Sequence, residues 1–497
     1  MPRPAPATLL VFLLALLALA PAAAAEEDAY VPVTDPLVRD KLEEWQDLKF
    51  GLLMHWGAYS QWGIVESWSI CPEDYGWCER KRGSNPQDYF TYKREYEALQ
   101  TTFDPRGFQP EDWAKAAAGA GMRYVVFTTK HHDGFSMFDT RATDYKITSE
   151  NCPFHDHPRA DVTRAIFDAF RAEGLWAGAY FSKPDWHDEN YWHPYFPPRD
   201  RNVNYDPEVY PERWEKFVQF THSQIMELMT NYGDVDILWL DGGWVARKAT
   251  EDIRTWYGGW VDETVSGFFK RNIVNQDIRM DELVARARAA QPGLIVVDRA
   301  VPGPHQNYLT PENRVPEEAL PYPWESCIIA GGSWSWVPDA TYLTTRQTVH
   351  TLVDIVAKGG NLLLNIAPSP EGTWDAGAYE LLAGVGAWMD VNSEAIYGTR
   401  AISPYKTGRV GLTQARATGA VYAIHMAAEG ETAPPAEIVV GGVAPADGAR
   451  VTMLGVAGEL AWERRGDGFV VKVPAAVRAE PPCSDAWTLR VSSIKEK

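Results

Sequence analysis

The side chains best suited to chemistry in this chain are carboxylates and imidazoles that follow short apolar runs. Asp241 ends the apolar run 235–240, and Gly242 and Gly243 come next, which leaves bare backbone and room for a ligand. A carboxylate in a Trp-rich setting is costly unless it is paired or used in a reaction. Asp241 is therefore a candidate nucleophile, although it could instead cap a helix or pair with Arg299.

The adjacent histidines His131 and His132 form a second candidate group. In a strand the two side chains would face opposite sides, so both cannot lie in an apolar core. Asp133 and Gly134 follow them, which predicts a sharp turn at this point. We expect at least one of the two imidazoles to be functional.

Two glutamates could supply the second carboxyl that glycosidic chemistry needs. Retaining hydrolysis of a glycosidic bond places two carboxyls about 5–5.5 Å apart, one as nucleophile and one as acid and then base. The candidates for this acid/base are Glu312 and Glu325. Either side chain could instead be structural, and the sequence does not give their distances from Asp241.

The elements that would position these residues alternate in a regular way. Each helix-like stretch ends at a glycine, and an apolar run follows it; in 161–174, for example, Asp161 is a good N-cap and Gly174 a good left-handed C-cap. Runs that are apolar throughout are typical of a parallel sheet covered on both faces. The helix-like stretches are 110–121, 161–174, 210–233, 280–293 and 344–360, and the strand-like runs are 49–55, 123–129, 175–181, 235–240, 294–297 and 361–366.

Polar and aromatic residues collect where the strand-like runs end. This arrangement is typical of a (β/α)8 barrel, whose active site lies at the carboxyl ends of the strands. A dinucleotide-binding sheet is disfavoured, because no G-x-G-x-x-G opens a helix after the first strand. The strand-end groups are 54–56, 130–133, 180–182, 239–243 and 298–299.

The sequence pattern changes near residue 400. Beyond this point, short runs of alternating apolar and polar residues, separated by Gly and Pro, replace the helix-like stretches. We therefore predict an irregular TIM-like (β/α)8 barrel with a C-terminal β-sandwich. The predicted division is a signal peptide over 1–25, a catalytic barrel over 26–400 and the β-sandwich over 401–497.

The composition excludes some partners. The formal net charge is −20, so phosphates of nucleic acid or of an anionic membrane would be repelled. The chain holds 21 Trp, and some of them should line a binding cleft. Seven lie in or beside the strand-end groups, namely Trp56, Trp68, Trp239, Trp244, Trp324, Trp334 and Trp336, whereas Trp113 and Trp388 are expected in the core.

The N-terminus has the order of a secretory signal, with Arg3, the apolar run 9–19 and small residues up to Ala25. We expect cleavage near Ala25, an exported protein, and no membrane insertion afterwards. An uncleaved anchor is the alternative. Five cysteines leave at least one thiol free, and Cys71 and Cys78 are close enough in sequence to form a disulfide.

Five segments together resemble the exported α-L-fucosidases of glycoside hydrolase family 29. They are 49–57, 128–135, 236–244, 324–327 and 359–365, and they occur in the family's order. The resemblance covers roughly residues 40–400. It implies a retaining hydrolase with Asp241 as nucleophile. Glu312, at a family-like distance from Arg299, is then the first choice for the acid/base, and Glu325 is the reserve. The resemblance further implies that fucose is bound by His55, Glu66, Trp68, His131, His132, Tyr180, Trp239 and Arg299.

The expected partner is a fucosylated oligosaccharide or glycoconjugate, bound without a metal or other cofactor, and the sequence is compatible with a homo-oligomer. One alternative is a metal-dependent barrel hydrolase in which His55, His131, His132 and Asp241 hold zinc. Activity that survives a strong chelator would exclude it. The other alternative is an inactive fucose-binding protein, which the presence of Asp241, Glu312 and Glu325 disfavours. The linkage preference is not readable from the sequence.

Overall fold

The computed structural model describes residues 30–249, 251, 253 and 273–495. The predicted signal peptide therefore lies outside the described residues. Within the described residues no helix is long and apolar enough to cross a membrane.

Seven parallel strands form the first sheet, in the order β5-β4-β3-β2-β1-β7-β6. Nearly every residue in these strands is buried, as the apolar runs predicted. The strands are β1 Phe50–Met54, β2 Tyr124–Lys130, β3 Trp176–Ser182, β4 Ile237–Asp241, β5 Ile295–Asp298, β6 Glu325–Ile329 and β7 Asn361–Asn365.

A segment without regular strand structure joins the two ends of this sheet. At its start Gln306 bridges to Val297 of β5, and further on Leu309 and Glu312 bridge to Trp324 and Cys327 beside or within β6. Residues 306–312 thus occupy the place of the eighth strand. The chain is an irregular (β/α)8-like barrel, and the predicted fold class is confirmed. Strand β6 was not predicted, because its five residues open on a charged glutamate.

Helices cover the outside of the barrel. The five described helices between residues 110 and 360 lie in the stretches that the sequence predicted, whereas the four outside this range were not predicted. Asp161 accepts a hydrogen bond from the backbone N–H of Arg164, and Gly174 has φ +78°. The described helices are α1 Pro36–Leu48, α2 Tyr89–Glu97, α3 Pro110–Gly119, α4 Val162–Ala172, α5 Pro211–Asn231, α6 Met280–Ala290, α7 Thr345–Ala357, α8 Ala376–Asn392 and, in the last domain, α9 Ala475–Ala479.

Side chains on the barrel strands alternate between the barrel interior and the helix layer. On β4, Ile237 and Trp239 belong to the interior cluster, whereas Leu238 and Leu240 pack in the core under the helices. Because successive side chains of a strand point to opposite faces, Asp241 continues the inward row. The same alternation on the other strands gives inward-facing rows of side chains that extend to the mouth of the barrel.

Two antiparallel sheets follow, with the orders β12-β15-β10-β9-β8 and β11-β14-β13. Their facing apolar rows, such as Leu412 and Ala423 on one sheet and Val440 and Phe469 on the other, form one shared core. This is the predicted β-sandwich, although β8 and β13 were not predicted. The strands are β8 Thr399–Thr407, β9 Val410–Ala415, β10 Val421–Met426, β11 Glu437–Val440, β12 Val451–Met453, β13 Trp462–Arg465, β14 Gly468–Lys472 and β15 Ala486–Val491.

All five cysteines lie in the described part of the chain and are free thiols. Cys71 and Cys78 are both buried. Burial, together with hydrogen bonding to the Cys78 thiol, raises the pKa of Cys71 well above its usual range.

We predict that Gly360→Ala destabilises the barrel. The added Cβ would lie 2.5 Å from the ring of Trp324, which is fully buried beside β6. Because that ring has no free space to move into, we expect the free energy of unfolding to fall by about 1–3 kcal/mol, measured by denaturant titration.

Gly119→Ala is the matched control for this substitution. A Cβ on Gly119, at the end of α3, meets nothing within 4 Å, so this variant should be neutral or slightly more stable. Equal stability of the Gly360 variant and the unaltered protein would contradict the packing described here.

Candidate active site

Asp241 lies at the carboxyl end of β4, and both of its carboxylate oxygens have partners. Oδ2 accepts a hydrogen bond from the Tyr180 hydroxyl at 2.8 Å, and Oδ1 accepts one from Arg299 Nη1 at 3.2 Å. Burial opposes ionisation, but Arg299, His132 and the Tyr180 hydroxyl outweigh it and hold the pKa of Asp241 well below its usual range. The side chain is 16% exposed, so a ligand can reach an ionised carboxylate.

Arg299 joins Asp241 to the first candidate for the acid/base. It follows directly after β5, and its Nη2 donates to Oε2 of Glu312 while its Nη1 donates to Asp241. The guanidinium also lies 5.4 Å from the centre of the Trp239 ring. One cation thus contacts two carboxylates at the barrel mouth.

Glu312 is held at the mouth by the segment that closes the barrel. The backbone on either side of it is fixed to β6, because Cys327 N–H donates to Pro311 at 3.2 Å and Asn313 N–H donates to Cys327 at 2.9 Å. The Glu312 side chain is 42% exposed. A carboxyl in this position is anchored through its backbone and open to a leaving group.

Glu66 is a third carboxyl beside this pair. It lies in the loop after β1 and is buried, and its Oε2 has no hydrogen-bond partner among the described residues. Burial raises the pKa of Glu66 to about 8, and the charges of Glu312, Asp241 and Asp133 contribute to the rise. At neutral pH the group is a protonated acid that can donate a hydrogen bond to a ligand.

Three buried imidazoles lie close together at the mouth. The ring centres of His55 and His131 are 5.6 Å apart, and those of His131 and His132 are 4.3 Å apart. Burial lowers the pKa of His55 to about 4 and that of His132 to about 3, and it lowers the pKa of His131 well below its usual range. All three rings are neutral at pH 7, so each presents one donor and one acceptor nitrogen.

The tautomer of His55 follows from its neighbour Asn365, at the end of β7. Asn365 Nδ2 donates to the carbonyl of Trp334 at 2.8 Å, which turns its Oδ1 toward His55 Nδ1, also at 2.8 Å. His55 Nδ1 therefore carries the proton, and Nε2 is left to accept one from a ligand hydroxyl. The sequence prediction gave Asn365 no role, although the residue ends one of the five family-like segments.

Aromatic rings surround the carboxylates and imidazoles. Tyr180 stacks on Trp239 with ring centres 5.2 Å apart, and Trp68 lies edge-on to His132 at 5.3 Å. Trp186, which the sequence prediction missed, contacts both Trp68 and His132. Its only sequence signal is its place in the loop directly after β3.

Two other Trp residues of the strand-end groups lie in the core and not in the cleft. Trp56 packs against Phe103, Phe108 and Trp113 beneath the helices. Trp324 precedes β6 and is fully buried at the opposite end of the barrel from the mouth. Nearness to a strand-end motif in sequence therefore did not identify cleft residues reliably.

Glu325 is not brought to this cluster. It is the first residue of β6, at the end of the barrel opposite the mouth, and is fully buried. Its carboxyl accepts hydrogen bonds from Tyr124 at 2.6 Å, Trp239 at 3.3 Å and Tyr308 at 3.2 Å. Burial raises the pKa of Glu325 to about 7 despite these donors. Because its strand ends four residues further on, at Ile329, Glu325 lies roughly 13 Å below that end. Its predicted reserve role as acid/base disagrees with this placement.

His131, His132 and Asp241 could together hold a metal ion, since one ligand atom of each lies within 4.8 Å of the others. However, both oxygens of Asp241 already accept hydrogen bonds, one of them from the Arg299 guanidinium. A dication at this place would be repelled by that guanidinium. The arrangement suits a bound sugar better than a metal.

A parallel barrel whose mouth holds an ionised carboxylate, a second exposed carboxyl and neutral hydrogen-bonding side chains among aromatic rings defines a glycoside hydrolase of the two-carboxyl class. The particular family follows from comparison with known proteins. The sequence model of the α-L-fucosidase family matches residues 17–394, and the chain belongs to this family.

Relatives cover nearly the whole chain. The chain is 27% identical to an α-L-fucosidase of Branchiostoma floridae over 96% of this chain and 99% of that protein. It is also 27% identical to the tissue α-L-fucosidase of Homo sapiens, over 99% of this chain and 98% of that protein. Among solved structures, α-L-fucosidase isoenzyme 1 from Paenibacillus thiaminolyticus is similar with a TM-score of 0.70 and 27% identity, covering 93% of this chain and 100% of that one.

We predict that Glu66 gives the pH profile a falling limb near pH 8. As the pH rises through about 8, Glu66 ionises and places an additional negative charge beside the nucleophile Asp241. Activity should therefore decline there, and in Glu66→Gln this limb of the kcat/KM profile should disappear even if overall activity is lower. Glu459→Gln, an exposed change in the β-sandwich, should leave the profile unaltered.

The same group makes folding stability depend on pH. The folded pKa of Glu66 is above its ordinary value of 4.5, so its stabilising contribution to folding is complete below pH 4.5 and is lost as the pH rises through about 8.

In the activity measurement, a falling limb of the kcat/KM profile that persists unchanged in Glu66→Gln would contradict the assignment of this limb to Glu66.

Proposed function

We propose that the protein hydrolyses terminal α-L-fucosyl residues from glycans with retention of configuration, through a covalent fucosyl-enzyme intermediate. The observation that carries this proposal is the contact of one guanidinium, Arg299, with both Asp241 and Glu312 at the barrel mouth. The α-L-fucosidase family to which the chain belongs supplies the sugar.

In the first step a carboxylate oxygen of Asp241 attacks the anomeric carbon of the fucose. The glycosidic C–O bond breaks as Glu312 donates its proton to the leaving oxygen. In the structure Glu312 rests on Arg299, so the acid step requires the side chain to turn toward the leaving oxygen. In the second step Glu312 takes a proton from water, the water oxygen attacks the anomeric carbon, and Asp241 is released as a carboxylate.

We propose that the neutral side chains around Asp241 bind the fucose. His55, His131 and His132 offer donor and acceptor nitrogens, protonated Glu66 offers a donor, and Tyr180 orients the nucleophile. Fucose carries three free hydroxyls and a methyl group, so the polar groups match the hydroxyls. Trp68 and Trp239 would cover the apolar ring face and the methyl group.

Glu312 is the proposed acid/base in preference to Glu325. Glu312 contacts the same guanidinium as Asp241 and is open to a leaving group, whereas Glu325 has no access to solvent and is hydrogen-bonded to three fixed donors. A proton donor must lie within hydrogen-bond reach of the leaving oxygen, directly or through one water.

We also propose that the chain is exported, with cleavage near Ala25, and that it divides into a signal peptide over 1–25, a catalytic barrel over 26–400 and a β-sandwich over 401–497. The order of charged, apolar and small residues up to Ala25 supports export. The proposed partner is a fucosylated oligosaccharide or glycoconjugate. The acidic surface does not hinder binding of a neutral fucosyl group.

We predict that Asp241→Gly abolishes turnover of 4-nitrophenyl α-L-fucoside while the fold survives. Added azide should restore part of the activity, because it can enter the space of the missing carboxylate and attack the anomeric carbon. The product should be a fucosyl azide of inverted configuration, identified by NMR. Asp467→Gly, in the exposed turn between β13 and β14, is the control; normal activity of the Asp241 variant would refute the assignment.

The two glutamates should differ on substrates with good and poor leaving groups. Glu312→Ala should lose little kcat/KM on an aryl fucoside, whose leaving group needs no proton in the first step, and roughly 10²–10⁴-fold in kcat/KM on a natural fucosylated glycan. Glu325→Ala should lose similar fractions of activity on both substrates and should also melt earlier, because three buried donors lose their acceptor. The opposite pattern would make Glu325 the acid and would contradict the proposal.

A further inference from the structure

A cavity of about 510 Å³ lies beside the proposed fucose site, in the size range of small-ligand sites. It is formed by the loop after β1 and the loop after β6. Its lining residues Val65, Ser69 and Ser333 are direct neighbours in sequence of Glu66, Trp68 and Trp334, which surround the histidines and carboxylates. The same two loops therefore form one wall of the cavity and one wall of the fucose site.

Trp77 gives this cavity an aromatic platform. The residue is 50% exposed, and its ring stacks on Tyr75 with centres 4.5 Å apart and planes only 4° from parallel. A short 3-10 turn, Gly76–Cys78, carries it, and the buried Cys78 anchors this turn. A flat, supported and exposed indole is the kind of surface on which the apolar face of a sugar ring packs.

Arg82 gives the cavity an unbalanced positive charge. Two other charged residues of the lining, Lys81 and Glu79, form an ion pair at 2.8 Å and balance one another. Arg82 has no carboxylate within ion-pair distance in the described part of the chain. It also lines a second cavity of about 210 Å³ that adjoins the first at Gly63. A free cation is notable at this place, because the chain carries a net charge of −20.

The position of the proposed acid/base indicates which part of a substrate would reach this cavity. The backbone of Glu312 is paired with Cys327 of β6, and the loop that follows β6 supplies Ser333 and Val337 to the cavity lining. The leaving group, which takes its proton from Glu312, therefore departs on the side of the loops after β6 and β1 that form the cavity. The next sugar of a glycan would lie against Trp77 and within reach of Arg82.

We propose that this cavity is the subsite for the leaving-group sugar, with Trp77 as its platform, and that Arg82 selects leaving groups bearing a carboxylate or a sulfate. The assignment rests on the proposed fucosidase function and specifies its substrate class. A guanidinium binds both anions through charge-assisted hydrogen bonds, so carboxylated and sulfated sugars share the recognition chemistry.

The test compares kcat/KM on four substrates: 4-nitrophenyl α-L-fucoside, a neutral fucosylated trisaccharide that the enzyme cleaves, and versions of this trisaccharide bearing a carboxylate or a sulfate on the leaving portion. Trp77→Ala should lower kcat/KM about tenfold on all three trisaccharides and by a smaller factor on the aryl fucoside, whose leaving group is a single ring. Arg82→Gln should lower it about three- to tenfold on the anionic trisaccharides only. A response to one anion alone identifies which of the two is bound.

Ionic strength provides a second measurement. Added salt should weaken turnover of the anionic trisaccharides in the unaltered protein and have little effect in Arg82→Gln, since exposed charges are screened. Arg464→Gln, an exposed change on β13, is the matched control and should behave like the unaltered protein. Thermal midpoints confirm that each variant is folded.

Two results would overturn the inference. One is an equal effect of Arg82→Gln on neutral and anionic trisaccharides, and the other is unchanged trisaccharide turnover in Trp77→Ala. Failure of the unaltered protein to hydrolyse the aryl fucoside would instead refute the proposed function. In that case, calorimetric binding of the anionic trisaccharide to the unaltered protein and to Trp77→Ala still tests the cavity, and equal affinities would refute it.

Discussion

The site depends on a single positive charge, that of Arg299, which lies between two carboxyls. Before reaction a retaining hydrolase needs an ionised nucleophile and a protonated acid, and after the first step it needs an ester and an ionised base. In each state one of the two groups is negative and the other neutral. Because Arg299 contacts both Asp241 and Glu312, its charge can pair with the nucleophile first and with the base afterwards. The cation thus favours the alternation of charge that the reaction requires.

The position of Arg299 and Glu312 follows from the way the barrel closes. The sheet has seven strands, and residues 306–312 bridge β5 to β6 in place of an eighth. Arg299 follows β5 directly, and Glu312 lies at the end of the bridging segment beside β6. Replacing a regular strand by an irregular segment allows an exposed carboxyl to reach the mouth while its backbone remains hydrogen-bonded. The irregular segment 306–312 therefore positions Glu312 in the site.

The sequence predicted those parts of the molecule that depend on local pattern. Apolar runs and glycine stops predicted six of the seven described barrel strands and the helices α3 to α7, and the strand-end groups included Asp241, Arg299 and the histidines. It could not distinguish Glu312 from Glu325, because both follow a Pro-containing stretch and neither belongs to a long periodic run. The two differ because Glu325 is the first residue of β6, a strand only five residues long, and points into the barrel interior. The sequence likewise could not show that Trp186 from the loop after β3 meets Trp68 from the loop after β1.

Glu325 shows how the barrel interior supports the site from below. Its carboxyl accepts a hydrogen bond from the Trp239 indole, Trp239 stacks on Tyr180, and the Tyr180 hydroxyl donates to Asp241. The first two of these contacts are buried, and the interior of a protein is too densely packed for one ring to move alone. A carboxyl far from the reacting atoms can therefore hold the nucleophile's donor in place, which gives the ionisable residue at the start of β6 a structural role in an otherwise apolar barrel interior.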